Sequence, residues 1–129
     1  MTRGSNTMAA RNDDPVKVYL DEVARAQPLS ADEENTLFEQ IRRGDDPQLA
    51  ERRLIESKLA LVVDIARRYS SSGLPIIELI QEGNCGLMKA VDTFAETGTG
   101  DFKTHASALV EAAVREAIAE GESNERSSA

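Results

Sequence analysis

The sequence predicts an all-α fold, a compact bundle of about five helices. Three observations lead there. Apolar residues recur every three or four positions along most of the chain, residues that start and stop helices punctuate it, and the alternating pattern of strands is missing. Aromatic residues make up only 4% of the chain and Trp is absent, which suits a helical bundle better than a sheet.

Each helix carries its own local signals. Asp14-Pro15 forms a cap and first-turn pair for a short helix with Val16, Tyr19, Leu20 and Val23 on one face, ending before Pro28. Ser30 and Glu33 have capping-box spacing, so a second helix should run to about Arg43, where Gly44 closes it. Asp46-Pro47 repeats the cap signal and opens the longest expected helix, to about Ser70, with Leu54, the Lys58 stem, Leu61, Val62, Ile65 and Tyr69 at helical spacing. Three serines and Gly73 make a flexible turn, and Leu74-Pro75 start a fourth helix.

Residues 97–100, Thr-Gly-Thr-Gly, are the next break. A last helix over 102–120 is written by Ala106, Leu109, Val110, Ala113, Val114, Ala117 and Ile118. These give one helical domain over 13–120, between a disordered tail at 1–12 and a flexible one at 121–129.

A chain of 129 residues suits one domain with a modest core. Its net charge of −8 opposes sequence-independent binding to nucleic acid, which needs a basic surface to displace counterions. The one cysteine, Cys85, has no intramolecular partner, no apolar run approaches a membrane span, and the N-terminus lacks a signal-peptide core. A cytoplasmic protein with no membrane partner is expected. Catalytic residues, metal ligands and cofactors are not expected either: one His, one Cys, no HExxH, no paired-Cys spacing and no Gly-rich phosphate loop are present.

The most informative stretch is 74–94, LPIIELIQEGNCGLMKAVDTF. At 100° per residue, Ile76, Leu79, Ile80, Gly83, Leu87, Ala90, Val91 and Phe94 fall on one side. Glu78, Gln81, Glu82, Cys85, Lys89 and Asp92 fall opposite, with Asn84 and Met88 on the border. The apolar side accounts for folding, since each buried Leu, Ile or Phe stabilises by roughly 1.5–3 kcal/mol. The polar side, with a methionine at its rim, suits a partner.

In order, DPVKVYLDEV, LSADEENTLFEQIRRGD, RRLIESKLALVVDIARRY and GLPIIELIQEGNCGLMKAVDTF resemble the housekeeping class of bacterial RNA polymerase sigma factors, the sigma-70 family, in conserved regions 1.2 and 2. The similarity runs over about 14–120, and IELIQEGNCGLMKAV is its most specific part. The resemblance implies a bundle like sigma regions 1.2 and 2. It also implies that the polar face of the LIQEGN helix docks on the clamp coiled coil in the largest subunit of core RNA polymerase, through Glu78, Gln81, Glu82, Asn84 and Met88. Acidic and amide groups with one apolar anchor complement a partly basic helical pair.

The following helix departs from the family. Where sigma factors carry basic and aromatic residues that open promoter DNA and hold flipped bases, this chain has Glu96, Thr97, Gly98, Gly100, Asp101, His105, Ala108 and Leu109. The paired tryptophans become Ala108 and Leu109, and neighbouring minus-ten positions carry Glu111 and Ala112. From Phe94 onward seven acids meet three bases, a net −4. Base stacking on aromatics, about 1–3 kcal/mol per base, and phosphate neutralisation are both missing.

The expectation is therefore a sigma-like, non-catalytic protein that grips core polymerase and modulates transcription initiation with promoter melting lost. The similarity does not reach the later sigma domains, and such a protein would either compete with sigma factors or act beside a separate DNA-binding polypeptide. Two alternatives remain. A working sigma factor would use Lys103, Thr104, His105 and Arg115 on minus-ten DNA in the presence of core, and a repurposed module would bind another regulator, such as an anti-sigma-type protein.

Overall fold

The computed structural model describes residues 15–128, which form six helices and no strand. They are α1 (Pro15–Ala24), α2 (Ala31–Arg43), α3 (Pro47–Glu56), α4 (Leu59–Arg68), α5 (Ile76–Thr97) and α6 (Phe102–Ser128). The expected tail at 1–12 and the Asp14 cap lie outside the described residues.

The second helix begins as expected. Ser30 Oγ accepts the Glu33 N–H at 3.1 Å, and Glu33 Oε1 accepts the Ser30 N–H at 2.9 Å. Gly44 ends it in the left-handed region at φ 70°, a conformation that glycine adopts without a Cβ penalty. Pro47 opens α3 as expected, but Asp46 makes no side-chain cap; its own φ of 51° turns the chain instead.

Two boundaries differ from expectation. The single long helix over 47–70 is two helices, broken at Ser57 and Lys58. Ser57 Oγ donates to the Leu54 carbonyl at 2.7 Å, competing with the backbone ladder. Lys58 leaves helical geometry at φ −115°, ψ 9° and pairs its ammonium with Glu34 at 2.9 Å. Its stem still lies inward, with the ammonium 5.7 Å from the Phe102 ring centroid.

The last helix does not stop near Glu120 but continues to Ser128. Gly121, the first residue past the expected end, does not take a positive φ. It is instead a place where α6 lies against Leu74, whose Cδ2 would be 3.3 Å from an added Cβ.

α5 is the central strut, packed along most of α6 and touching α1, α2, α3 and α4. All three phenylalanines of the chain converge at one end of it. The rings of Phe38 in α2, Phe94 in α5 and Phe102 in α6 have centroids 4.9, 5.0 and 5.3 Å apart. Arg42 closes the edge of this cluster, donating through Nε to the Ala95 carbonyl at 2.8 Å.

Two glycines set the closeness of α5 to its neighbours. A Cβ on Gly83 would lie 2.8 Å from Val62 Cγ1, and one on Gly86 would lie 2.6 Å from the Leu109 carbonyl oxygen. The second clash is with backbone, which cannot rotate away. Alanine gains about 1 kcal/mol of helix propensity over glycine, whereas forcing apart a packed contact costs about 1–3 kcal/mol. Gly86→Ala is therefore expected to lower the unfolding free energy by up to about 2 kcal/mol. Gly121→Ala, which meets only the flexible end of Leu74, should raise it by up to about 1 kcal/mol. Parallel urea titrations of the two variants check the sign of each.

Candidate functional site

α5 divides as the periodicity of its sequence requires. Leu79, Ile80, Gly83, Leu87, Ala90, Val91 and Phe94 are buried, as expected, and Gly86 and Ala95 join them. Ile76 is only half-buried.

On the other side Glu78, Gln81, Glu82, Cys85, Met88, Lys89 and Asp92 are exposed. At 100° per residue they share an arc of about 120°, and the span from Glu78 to Met88 is about 15 Å along the axis. Met88 is 52% exposed, one of three large hydrophobic side chains on the surface of the described residues. An exposed thioether among carboxylates and an amide offers a partner an adaptable apolar contact within a polar rim.

Asn84 stands apart from that open face. It is half-buried at the seam of α1 and α5, where its Nδ2 donates to the Tyr19 hydroxyl at 3.5 Å. Its Oδ1 is buried without a hydrogen-bond partner. Asn84 thus ties the first helix to the strut, and Glu78, Gln81, Glu82 and Met88 remain on the free surface.

The structure does not gather the four candidate DNA contacts. Lys103 and Arg115 are exposed, but twelve positions on one helix separate them by about 18 Å and about 120° of rotation. His105 is held internally: its Nε2 shares a hydrogen bond with Thr93 Oγ1 at 2.6 Å, and its ring lies 5.8 Å from that of Phe94.

Thr104 is engaged as well. Its hydroxyl and its backbone N–H both donate to Asp101 Oδ2, at 2.8 and 3.1 Å. Asp101 is therefore the cap of α6. These bonds, the hydroxyl's first, hold the Asp101 carboxyl below its ordinary 3.8. A depressed carboxylate stabilises above its unfolded-state value, and the benefit fades as pH falls through the folded-state value. The melting-temperature gap between the wild type and Asp101→Ala should be full at pH 7 and shrink below about pH 4. Thermal melts of both proteins at pH 7 and pH 3 check this; a gap unchanged at pH 3 contradicts the cap.

Glu111 also has an internal role. The Tyr69 hydroxyl donates to its carboxylate, and Arg68 lies 3.9 Å from it. That bond, foremost, pushes Tyr69 ionisation above 10.0. Neither this tie nor the Tyr19–Asn84 contact has a signal in the sequence, because the partners are 42 and 65 residues apart. Among the described residues no group of His, Cys, Asp and Glu is placed to hold a metal, and no helix is long and apolar enough to cross a membrane.

The similarity to known proteins covers α5, α6 and the helices before them. The family model described as Sigma-70 region 2 matches residues 54–122, and that described as Sigma-70 factor, region 1.2, matches residues 14–46. The chain is 47% identical over 111 residues to RNA polymerase sigma factor SigA of Lactococcus lactis subsp. cremoris, covering 85% of this chain and 30% of that protein. It is similar to the protein of the same name from Lactococcus lactis subsp. lactis, at 47% identity over 85% of this chain and 29% of the relative. Against SigA of a Bacillus species the identity is 46%, over 83% of this chain and 28% of that protein. The chain spans less than a third of the length of these relatives.

Proposed function

Since the chain belongs to the sigma-70 family through its regions 1.2 and 2, we propose that it binds core RNA polymerase by the outward face of α5 and modulates transcription initiation without itself melting promoter DNA. The supporting observation is the contrast between two surfaces. Glu78, Gln81, Glu82 and Met88 are open on one helix face, whereas Thr104 and His105 are engaged within the chain and Lys103 and Arg115 are dispersed.

The partner surface is the clamp coiled coil of the largest polymerase subunit, whose partly basic helices complement the two glutamates and seat Met88. Asn84 acts behind this face rather than on it, by holding α1 against α5. The protein carries no catalysis of its own and works in the cytoplasm, where its partner is.

A second reading rests on the length of the family match, which continues through α6 to residue 122. Under it the protein is a working sigma factor that contacts minus-ten DNA once core is bound. One experiment separates the two: titration of core polymerase in competition with a housekeeping sigma factor, with and without a fluorescent single-stranded minus-ten oligonucleotide. Competition for core without oligonucleotide binding supports the first reading, and competition with sequence-preferring oligonucleotide binding supports the second. No competition overturns both and leaves a module that serves another regulator, such as an anti-sigma-type protein.

A further inference from the structure

A groove runs along the solvent-facing seam of α5 and α6 and shares Glu82, Cys85 and Lys89 with the outward face of α5. Its floor is made of small and apolar residues, Gly86 from α5 with Leu109, Ala112, Ala113 and Ala117 from α6. Gly86 brings the helices close enough to make that floor continuous, since an added Cβ would strike the Leu109 carbonyl.

The rim is charged. Glu82 and Lys89 stand on the α5 side, Glu116 and Glu120 on the α6 side, and all four are exposed. The ion pairs among the described residues are Lys58–Glu34 and Arg68–Glu111, so none of the three rim carboxylates is neutralised in that way. Glu116 and Glu120 are also one turn apart on the same helix, where like charges repel. The rim thus carries three carboxylates against the one ammonium of Lys89 beside an apolar trough, and a cationic partner would complement that excess.

We propose that this groove docks a basic helix of a second polypeptide, which sets Ala- or Leu-sized side chains on the floor and Lys or Arg against Glu82, Glu116 and Glu120. The stretch from Leu109 to Glu120 is about 16 Å long, so the occupant is a segment of about three turns. A helix lying between two packed helices uses the same ridge-and-groove fit as the bundle itself. Charge argues against the other occupants. A second copy brings a net −8, and nucleic acid brings phosphates to the same carboxylates.

The test is fluorescence anisotropy of a labelled helical Ala/Leu peptide with Lys along one edge, titrated with the full chain at about 0.15 M salt, beside the same peptide with Glu for Lys. The Lys peptide is expected to bind saturably and the Glu peptide not to bind. Glu116→Lys combined with Glu120→Lys should weaken the complex by at least about tenfold. Ala112→Trp, which fills the floor and leaves every charge in place, should do the same. Both variants alter exposed positions, and circular dichroism reports that they stay helical.

Absence of saturable binding overturns the proposal, as does binding that Ala112→Trp leaves unchanged, which would be attraction by charge alone. Ala112, Glu116 and Glu120 lie outside the α5 face assigned to polymerase. A parent chain that fails to bind the Lys peptide yet still associates with core would therefore refute the groove and leave the polymerase reading standing.

Discussion

Gln81→Lys combined with Glu82→Lys is expected to abolish co-purification with core RNA polymerase. Both side chains are exposed on α5, so the substitution leaves the core of the bundle untouched. What changes is the sign of the surface. Under the proposed docking, a face that would present an amide and a carboxylate to partly basic helices would present two ammonium groups instead. Like-charge juxtaposition across an interface costs several kcal/mol, which corresponds to at least roughly a hundredfold in Kd.

Lys is a good helix former, so far-UV circular dichroism and the melting temperature should stay close to those of the parent protein. Quantitative competition against a housekeeping sigma factor reads the effect directly. A double variant that competes as well as the parent would exclude this face from the interface and, with it, the assignment of Glu78 and Met88. The effect should not extend to Asn84 in the same manner. Asn84→Ala frees the buried end of the side chain and releases Tyr19, and so acts through the seat of α1 rather than through the contact.

Phe38→Ala should be the most destabilising single change in the core. Phe38 is 1% exposed, and its ring lies against both other phenylalanines of the protein and under the Arg42 guanidinium, 5.9 Å away. Truncating a buried Phe to Ala costs about 3–5 kcal/mol, combining lost transfer energy with the cavity left behind. A domain of this size has about 5–15 kcal/mol in total, so the variant should be partly unfolded at physiological temperature. The damage should also spread across elements, because one ring joins α2 to α5 and α6 at the point where α6 begins.

Urea unfolding followed by circular dichroism should show a large fall in midpoint with little change in slope. A loss below about 1 kcal/mol would mean that the three rings do not form one cluster. Binding offers an independent check. With its outward face of α5 intact, Phe38→Ala should retain polymerase affinity for the fraction that remains folded, unlike the charge-reversed variant.

Much of this architecture was legible before any coordinates. The caps at Ser30–Glu33 and Gly44, the Pro47 start, and the inward and outward sides of α5 all follow from interactions within four residues, and the structure has them in place. The two boundary errors have a common origin. At Ser57 and Lys58 the apolar period continues while the backbone does not, because a side-chain bond to Leu54 and an ion pair to Glu34 win locally. Beyond Glu120 the apolar period fades, yet the helix runs on to Ser128, with Gly121 lying against Leu74.

The candidate site divides along the same line. Exposure of Glu78, Gln81, Glu82 and Met88 is a matter of helical phase, which residue order determines alone. The internal engagement of Thr104 by Asp101 is local too, and an Asp three residues before a Thr was the available clue. That His105 bonds Thr93, that Glu111 holds Tyr69, and that Asn84 faces Tyr19 are facts of packing between separate helices.

By itself, then, the order of residues determined the helical class, most helix starts and the polar face turned to solvent. Those depend on backbone geometry and on neighbours one turn away. Only the tertiary structure decided which polar groups are left for a partner, how closely α5 and α6 approach at Gly86, and that three distant phenylalanines make one core. Such contacts arise when helices with compatible surfaces are brought together, and their strength depends on shape and desolvation across sequence separations that no local pattern encodes.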